Sequence, residues 1–159
     1  MKVINIHTRT IKVSKDKLLP LFATLSEKDD RIWPKEKWPS MRFKKGLVKN
    51  AEGGHGPVRY KVLEHDANGH VVFEFQKPTG FIGTHSFEIT ALDTNSTEIK
   101  HMISMKTKGF ATLLWIFAIR WLHDALLEDA FDKVENYVTH SNKTTTWNLW
   151  VKILRKLLK

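Results

Sequence analysis

The sequence predicts an α+β fold in which an antiparallel sheet of six strands is followed by one long C-terminal helix. Three observations predict it. Between residues 58 and 106 apolar and polar residues alternate along successive short runs, the period-two signature of strands with one dry and one wet face. Between residues 110 and 140 the period becomes helical, with no proline and no internal glycine. The 159 residues fall within the roughly 100–200 of a single domain and can bury about two-thirds of the chain's surface without staples.

Residues 3–13, VINIHTRTIKV, are rich in β-branched side chains and read as the first strand. Ser14 then stands as an N-cap for a helix to about Ser26, which Pro20 should kink or delay. Residues 28–41 are irregular, because Trp33-Pro34 and Trp38-Pro39 bias both tryptophans away from helix. A second short helix is expected across this stretch. Arg42–Lys49 reads as a strand and Gly53–Pro57 as a glycine-rich turn. In the next strand Val58, Tyr60 and Val62 share the dry face. Asn68-Gly69 marks a hairpin, after which Val71, Phe73 and Phe75 face inward. His85, Phe87, Ile89 and Ala91 share the dry face of Phe81–Leu92, and Ile99, His101, Ile103 and Met105 that of the last strand.

On the long helix Ile116, Ile119, His123, Leu127, Ala130, Phe131, Val134, Tyr137 and Val138 form one stripe. Five acidic residues, Asp124, Glu128, Asp129, Asp132 and Glu135, lie off it. The first half, with Leu114, Trp115, Ala118, Trp121 and Leu122, is apolar nearly all round, which predicts cover on both sides.

Composition excludes several function classes. With no cysteine, disulfides, thiolate metal sites and thiol nucleophiles are ruled out. The charged N-terminus fits neither a signal nor a transit peptide, and the apolar run Phe110–Ile119 is about half a membrane span. A cytoplasmic protein is expected, with peripheral membrane attachment as an extension of that reading. The net charge of +9 is uneven: +8 over residues 1–50, −4 over 51–142 and +5 over 143–159. Basic ends around an acidic middle point to an anionic partner or to ordinary solubilising charge. No nucleic-acid motif is present, so an anionic membrane surface is the partner of that kind to expect.

The order of elements, with Gly53-Gly54-His55-Gly56-Pro57-Val58-Arg59-Tyr60 and Gly80-Phe81-Ile82-Gly83-Thr84-His85-Ser86-Phe87, resembles the START-like (SRPBCC) superfamily over about residues 3–140. Its members include birch-pollen-allergen proteins, polyketide cyclases and lipid-transfer domains. The resemblance implies a helix-grip fold, with a curved sheet of six to seven strands around the C-terminal helix and an apolar cavity between them. It carries no catalytic residue and no cofactor, because the superfamily has no universal catalytic set. A hydrophobic small molecule is the ligand it implies.

Tyr60, His85, His101, His123 and Arg120 are then the candidate polar handles of the cavity, among Phe73, Phe87, Ile103 and Leu127. Equally, each histidine can simply satisfy a neighbour in a filled core. A metal site of His85, His101 and His123 is not expected. Register places His101 opposite Phe87 or Ile89, so His85 lies diagonally from it at roughly 7–8 Å, and no inward carboxylate completes a shell. A cavity histidine near its working pKa is the group that a cyclase or dehydratase would use. Gly53–Pro57 leads into a strand rather than a helix and is not a phosphate cradle; it reads as a turn with positive-φ positions that also suits a lip of the cavity. The two Trp-Pro pairs suit either a lid or a plug.

The domain is expected to span residues 1–143, with 144–159 as a basic amphipathic extension. Trp147, Trp150, Val151, Leu154, Leu157 and Leu158 occupy one side of that helix, and Lys152, Arg155, Lys156 and Lys159 the other. This pattern suits an interfacial helix acting through Trp147, Trp150, Lys152, Leu154, Arg155 and Lys156. It equally suits packing on Trp115, Ala118 and Leu122, or on a second subunit in a homodimer.

Overall fold

The structure, a computed structural model, describes residues 1–158. Seven antiparallel strands form one sheet in the order β1-β7-β6-β5-β4-β3-β2. They are β1 (Lys2–Ile11), β2 (Arg42–Phe43), β3 (Glu52–His55), β4 (Val58–Asp66), β5 (His70–Lys77), β6 (Phe81–Ala91) and β7 (Thr97–Thr107). The alternation of the sequence is kept: Val58, Tyr60, Val62, Val71, Phe73, Phe75, Phe87, Ile89, Ile99 and Ile103 are buried on one face. Ala91 departs from it and is exposed at its strand end.

The differences lie before β4. The strand expected over residues 42–49 is only two residues long, because the chain turns back at Gly46, whose amide bonds the Phe43 carbonyl at 3.2 Å. The glycine segment is itself a strand, paired through a tight turn at Gly56-Pro57. A side chain at Gly54 would meet the Val58 carbonyl at 2.1 Å, and φ there is +151°, so glycine is required where these backbones cross. The helix after β1 is α1 (Lys15–Phe22), with Pro20 inside it. No second short helix follows. Residues 23–41 are turns, because Asp30 takes the amides of Ser26, Ile32 and Trp33 at 2.7–2.8 Å and so folds the chain around one buried carboxylate.

Residues Phe110–Thr139 form a continuous helix in three parts: α2 (Phe110–Leu114), a π-helical segment (Trp115–Ile119) and α3 (Arg120–Thr139). Length and composition would suit a membrane span, but the helix is the long helix of the domain and packs along the sheet. The π segment inserts a residue into the helical register, so the predicted stripe breaks there. Ala111 points inward before it, Trp115 at its first residue, and Leu126, Leu127, Ala130, Phe131 and Val134 after it; Ile116 and Tyr137 are exposed. The expected two-sided cover fails in the first half, where Phe110 is 71% and Phe117 61% exposed.

The acidic side of α3 is largely buried instead. Asn5, His7 and Arg9 alternate toward the helix from β1, the edge strand. Arg9 donates to Asp132 at 3.1 Å, Glu135 at 2.8 Å and Glu128 at 2.8 Å. His7 contacts Asp124 at 3.0 Å and Glu128 at 3.2 Å. Each buried carboxylate is thereby compensated, which fixes how the helix lies along β1 rather than adding large net stability.

The chain then returns across α3 to α4 (Leu149–Leu157). Asp129, 3% exposed, accepts from the indoles of Trp38 and Trp147, both at 2.8 Å, and from Lys37 at 2.5 Å. One carboxylate therefore ties the tryptophan loop, the long helix and the tail together. Asn148 caps α4, accepting from the Val151 amide at 2.9 Å. The tail packs on its own domain through Val151 and Leu154, both buried.

Candidate functional site: an apolar cavity with a histidine pair

Between sheet and long helix lies a cavity of about 410 Å³. The sheet contributes Tyr60, Phe75, Phe81, His85, His101 and Ile103, and the helix Leu114, Trp115, Ala118, Ile119, Leu122, His123, Leu126 and Leu127. Trp33, Trp38 and Pro39 line it from the turns, His55, Gly56 and Pro57 from the glycine hairpin, and Arg155 and Leu158 from the tail.

Six of the predicted ligand-binding residues are thus brought together: Tyr60, His85, His101, Ile103, His123 and Leu127. Phe73 and Phe87 are fully buried behind them. Phe73 stacks on His85, with centroids 4.8 Å apart, and Phe87 meets His101 edge-on at 4.5 Å. Arg120 is not in the site. Its guanidinium lies over Trp121 and 3.8 Å from Asp124, with the side chain 56% exposed, because the π segment turns this position outward. Of the residues in the wall, His55, Trp115 and Arg155 were not singled out as ligand-binding from sequence. Glycine spacing signals a turn at His55 but not the side on which its ring lies.

Register places Phe87 opposite His101 and His85 opposite Ile103, one of the two pairings the sequence allowed. The rings nevertheless converge. His85 Nδ1 lies 3.2 Å from His101 Nε2, and the His101 and His123 centroids are 4.9 Å apart. The backbone offset of a diagonal pair does not limit two imidazoles that lean toward each other.

Burial pushes His85 and His101 well below the ordinary histidine value. It also lowers His123, against the pull of Asp124. All three are therefore neutral near pH 7, each with one N–H. In the His85–His101 bond one ring donates and the other accepts. Whichever donates, the two remaining nitrogens, His85 Nε2 and His101 Nδ1, are one donor and one acceptor, and both are buried with no protein partner. Tyr60, its ring 4.3 Å from His85, is held as a neutral phenol by desolvation.

No carboxylate was expected to complete a shell around the three histidines, yet one does approach His123. Asp124 lies 3.6 Å from His123 Nδ1 and 3.0 Å from His7. His7, His123 and Asp124 are the one group among the described residues whose ligand atoms gather closely enough for a metal ion; His85 and His101 are not part of it. Burial lowers the His7 pKa, but Asp124 and Glu128 outweigh that and raise it. An ion pair accounts for the cluster.

No family model matches the sequence, and no curated protein matches it. Solved structures do match in shape. A truncated norcoclaurine synthase from Thalictrum flavum is 11% identical with a TM-score of 0.66, covering 89% of this chain and 96% of that one. A solution structure from Thermobifida fusca is 12% identical with a TM-score of 0.64, covering 89% and 99%. A START superfamily protein from Mycobacterium smegmatis is 14% identical with a TM-score of 0.53, covering 86% and 97%. The likeness is one of fold: the chain has the helix-grip fold, a seven-stranded antiparallel sheet against a long C-terminal helix, in common with these structures.

Proposed function

We propose that the protein binds, and carries, a hydrophobic small molecule with one polar end, of lipid or polyketide-like character. The observation that supports this best is the His85–His101 pair in the wall of a mainly apolar cavity, with one nitrogen of each ring buried and without a protein partner. Buried polar atoms are rarely left unmet. A ligand hydroxyl, carbonyl or carboxyl at that point would satisfy them, while Trp115, Leu122 and Leu126 take the apolar body. The volume lies within the roughly 300–1,000 Å³ of small-molecule sites.

A second reading is a cyclase- or dehydratase-type enzyme, favoured by one observation: neutral, buried imidazoles beside a phenol are placed to exchange protons with a bound ligand. The solved norcoclaurine synthase in complex with dopamine and hydroxybenzaldehyde is an enzyme on this fold.

Native and denaturing mass spectra of the purified protein test the proposal. An additional mass that disappears on denaturation is expected. A bare chain that also fails to take up an added fluorescent fatty acid overturns the binding role. His85→Ala separates the two readings, since a carrier keeps part of its affinity whereas an enzyme acting through His85 loses turnover.

A further inference from the structure

The outer side of the cavity's helical wall is as apolar as its inner side. Leu113, Phe117 and Trp121, four residues apart, form an exposed stripe on the long helix, with Phe110 at its start. A second stripe runs along α4, where Leu149 and Leu157 are each 74% exposed and Ile153 lies between them. Trp150 joins the two by donating to the Phe117 carbonyl at 2.8 Å.

Along this face, which carries the π segment, indoles meet two backbone carbonyls. Trp121 donates to the Ile116 carbonyl at 3.0 Å, as Trp150 does to Phe117. Backbone that enters hydrocarbon must have its polar groups satisfied, and here two half-exposed indoles do so. The surrounding charge is mainly basic, with Asp124 beside Arg120 and Glu36 near Lys152 and Lys156 as its acidic neighbours. Residues 99–123 and 136–159, which supply both stripes, contain no acidic residue, while Lys106, Lys108, Arg120, Lys152 and Lys156 are among their basic ones.

We infer that this composite face docks on an anionic lipid bilayer, with Trp121 and Trp150 at headgroup depth and the cavity's helical wall against the membrane. A two-fold contact with a second copy would set the same basic rim against itself, whereas an anionic surface neutralises it. The inference does not depend on the cavity being filled.

The test is co-sedimentation of the full chain with phosphatidylcholine vesicles, with and without phosphatidylserine, together with tryptophan fluorescence. Binding to the anionic vesicles with a blue shift, weakened by salt, is expected. Lys152→Ala/Lys156→Ala should lower partitioning about 30-fold. Phe117→Glu/Ile153→Glu should abolish it while retaining any co-purified ligand mass. Ile4→Glu, at an exposed position on β1, is the control and should bind as wild type. Absent binding, equal binding to both vesicle types, or equal binding by the Phe117 variant overturns the inference. So does a dimer in analytical ultracentrifugation that Phe117→Glu converts to monomer, which would assign the face to a second copy. Loss of the ligand mass with vesicle binding intact would count against the cavity proposal alone.

Discussion

His85 and His101 show how a side chain can be legible in sequence while its environment is not. Alternation put both on the dry face, but the 3.2 Å approach of their rings depends on side-chain lean. Asn5, His7 and Arg9 were less legible, since a run of β-branched neighbours reads as a strand whatever its polar residues face. The two sets titrate oppositely. Desolvation depresses the folded-state pKa of His85 and His101 well below the ordinary histidine value of 6.5. Below that pH the unfolded chain therefore binds more protons, and stability falls as pH falls. His7 is raised, so its contribution is complete below about pH 6.5 and is lost as pH rises through its folded value. We expect His85→Phe/His101→Phe, which removes both partners of the bond, to be nearly neutral at about pH 7.5 and more stable than wild type at about pH 5. Each histidine can contribute at most about 2 kcal/mol over that interval. Urea midpoints at the two pH values check this, and identical acid losses in both proteins would refute it.

At the scale of elements, strands β4 to β7 and the long helix were readable because each carries a clean period. Strand β2, the missing second helix and the π segment were not, because a turn at Gly46, a single carboxylate and an inserted residue decide them in turn. Asp129 is the clearest case. Placed off the helical stripe, it looks like a solvated charge, yet its carboxylate accepts from Trp38, Trp147 and Lys37 together. Both indoles bond the same oxygen, Oδ2, and Lys37 the other, so asparagine must turn its NH2 group either on Lys37 or on the indoles, and it loses the ion pair in both cases. Asp129→Asn should cost about 2–4 kcal/mol and free the segment between α3 and α4. Limited proteolysis of residues 140–148 reads the second effect, and unchanged protection there would show that the tail is held by α4 alone.

For the molecule as a whole, the tail and the tryptophan loop complete a cavity that sheet and long helix leave open. Arg155 is the joint. Its guanidinium lies over the Trp38 ring at 4.4 Å and the Trp147 ring at 5.8 Å, and it donates to the Lys37 carbonyl at 2.5 Å. From sequence Arg155 read as one of several basic residues facing solvent or lipid, because nothing local marks which cation folds back over an indole. Lys152 and Lys156 remain exposed, so the basic side divides between closing the site and facing outward. If Arg155 closes the cavity, Arg155→Ala should leave equilibrium stability within about 1–2 kcal/mol of wild type while raising the dissociation rate of a cavity-bound fluorescent fatty acid severalfold. Stopped-flow displacement measures that rate. The His85–His101 contacts would persist, so association should rise with dissociation and affinity should change less than either. A dissociation rate equal to wild type would place the entrance elsewhere, between the glycine hairpin at His55–Pro57 and the helix.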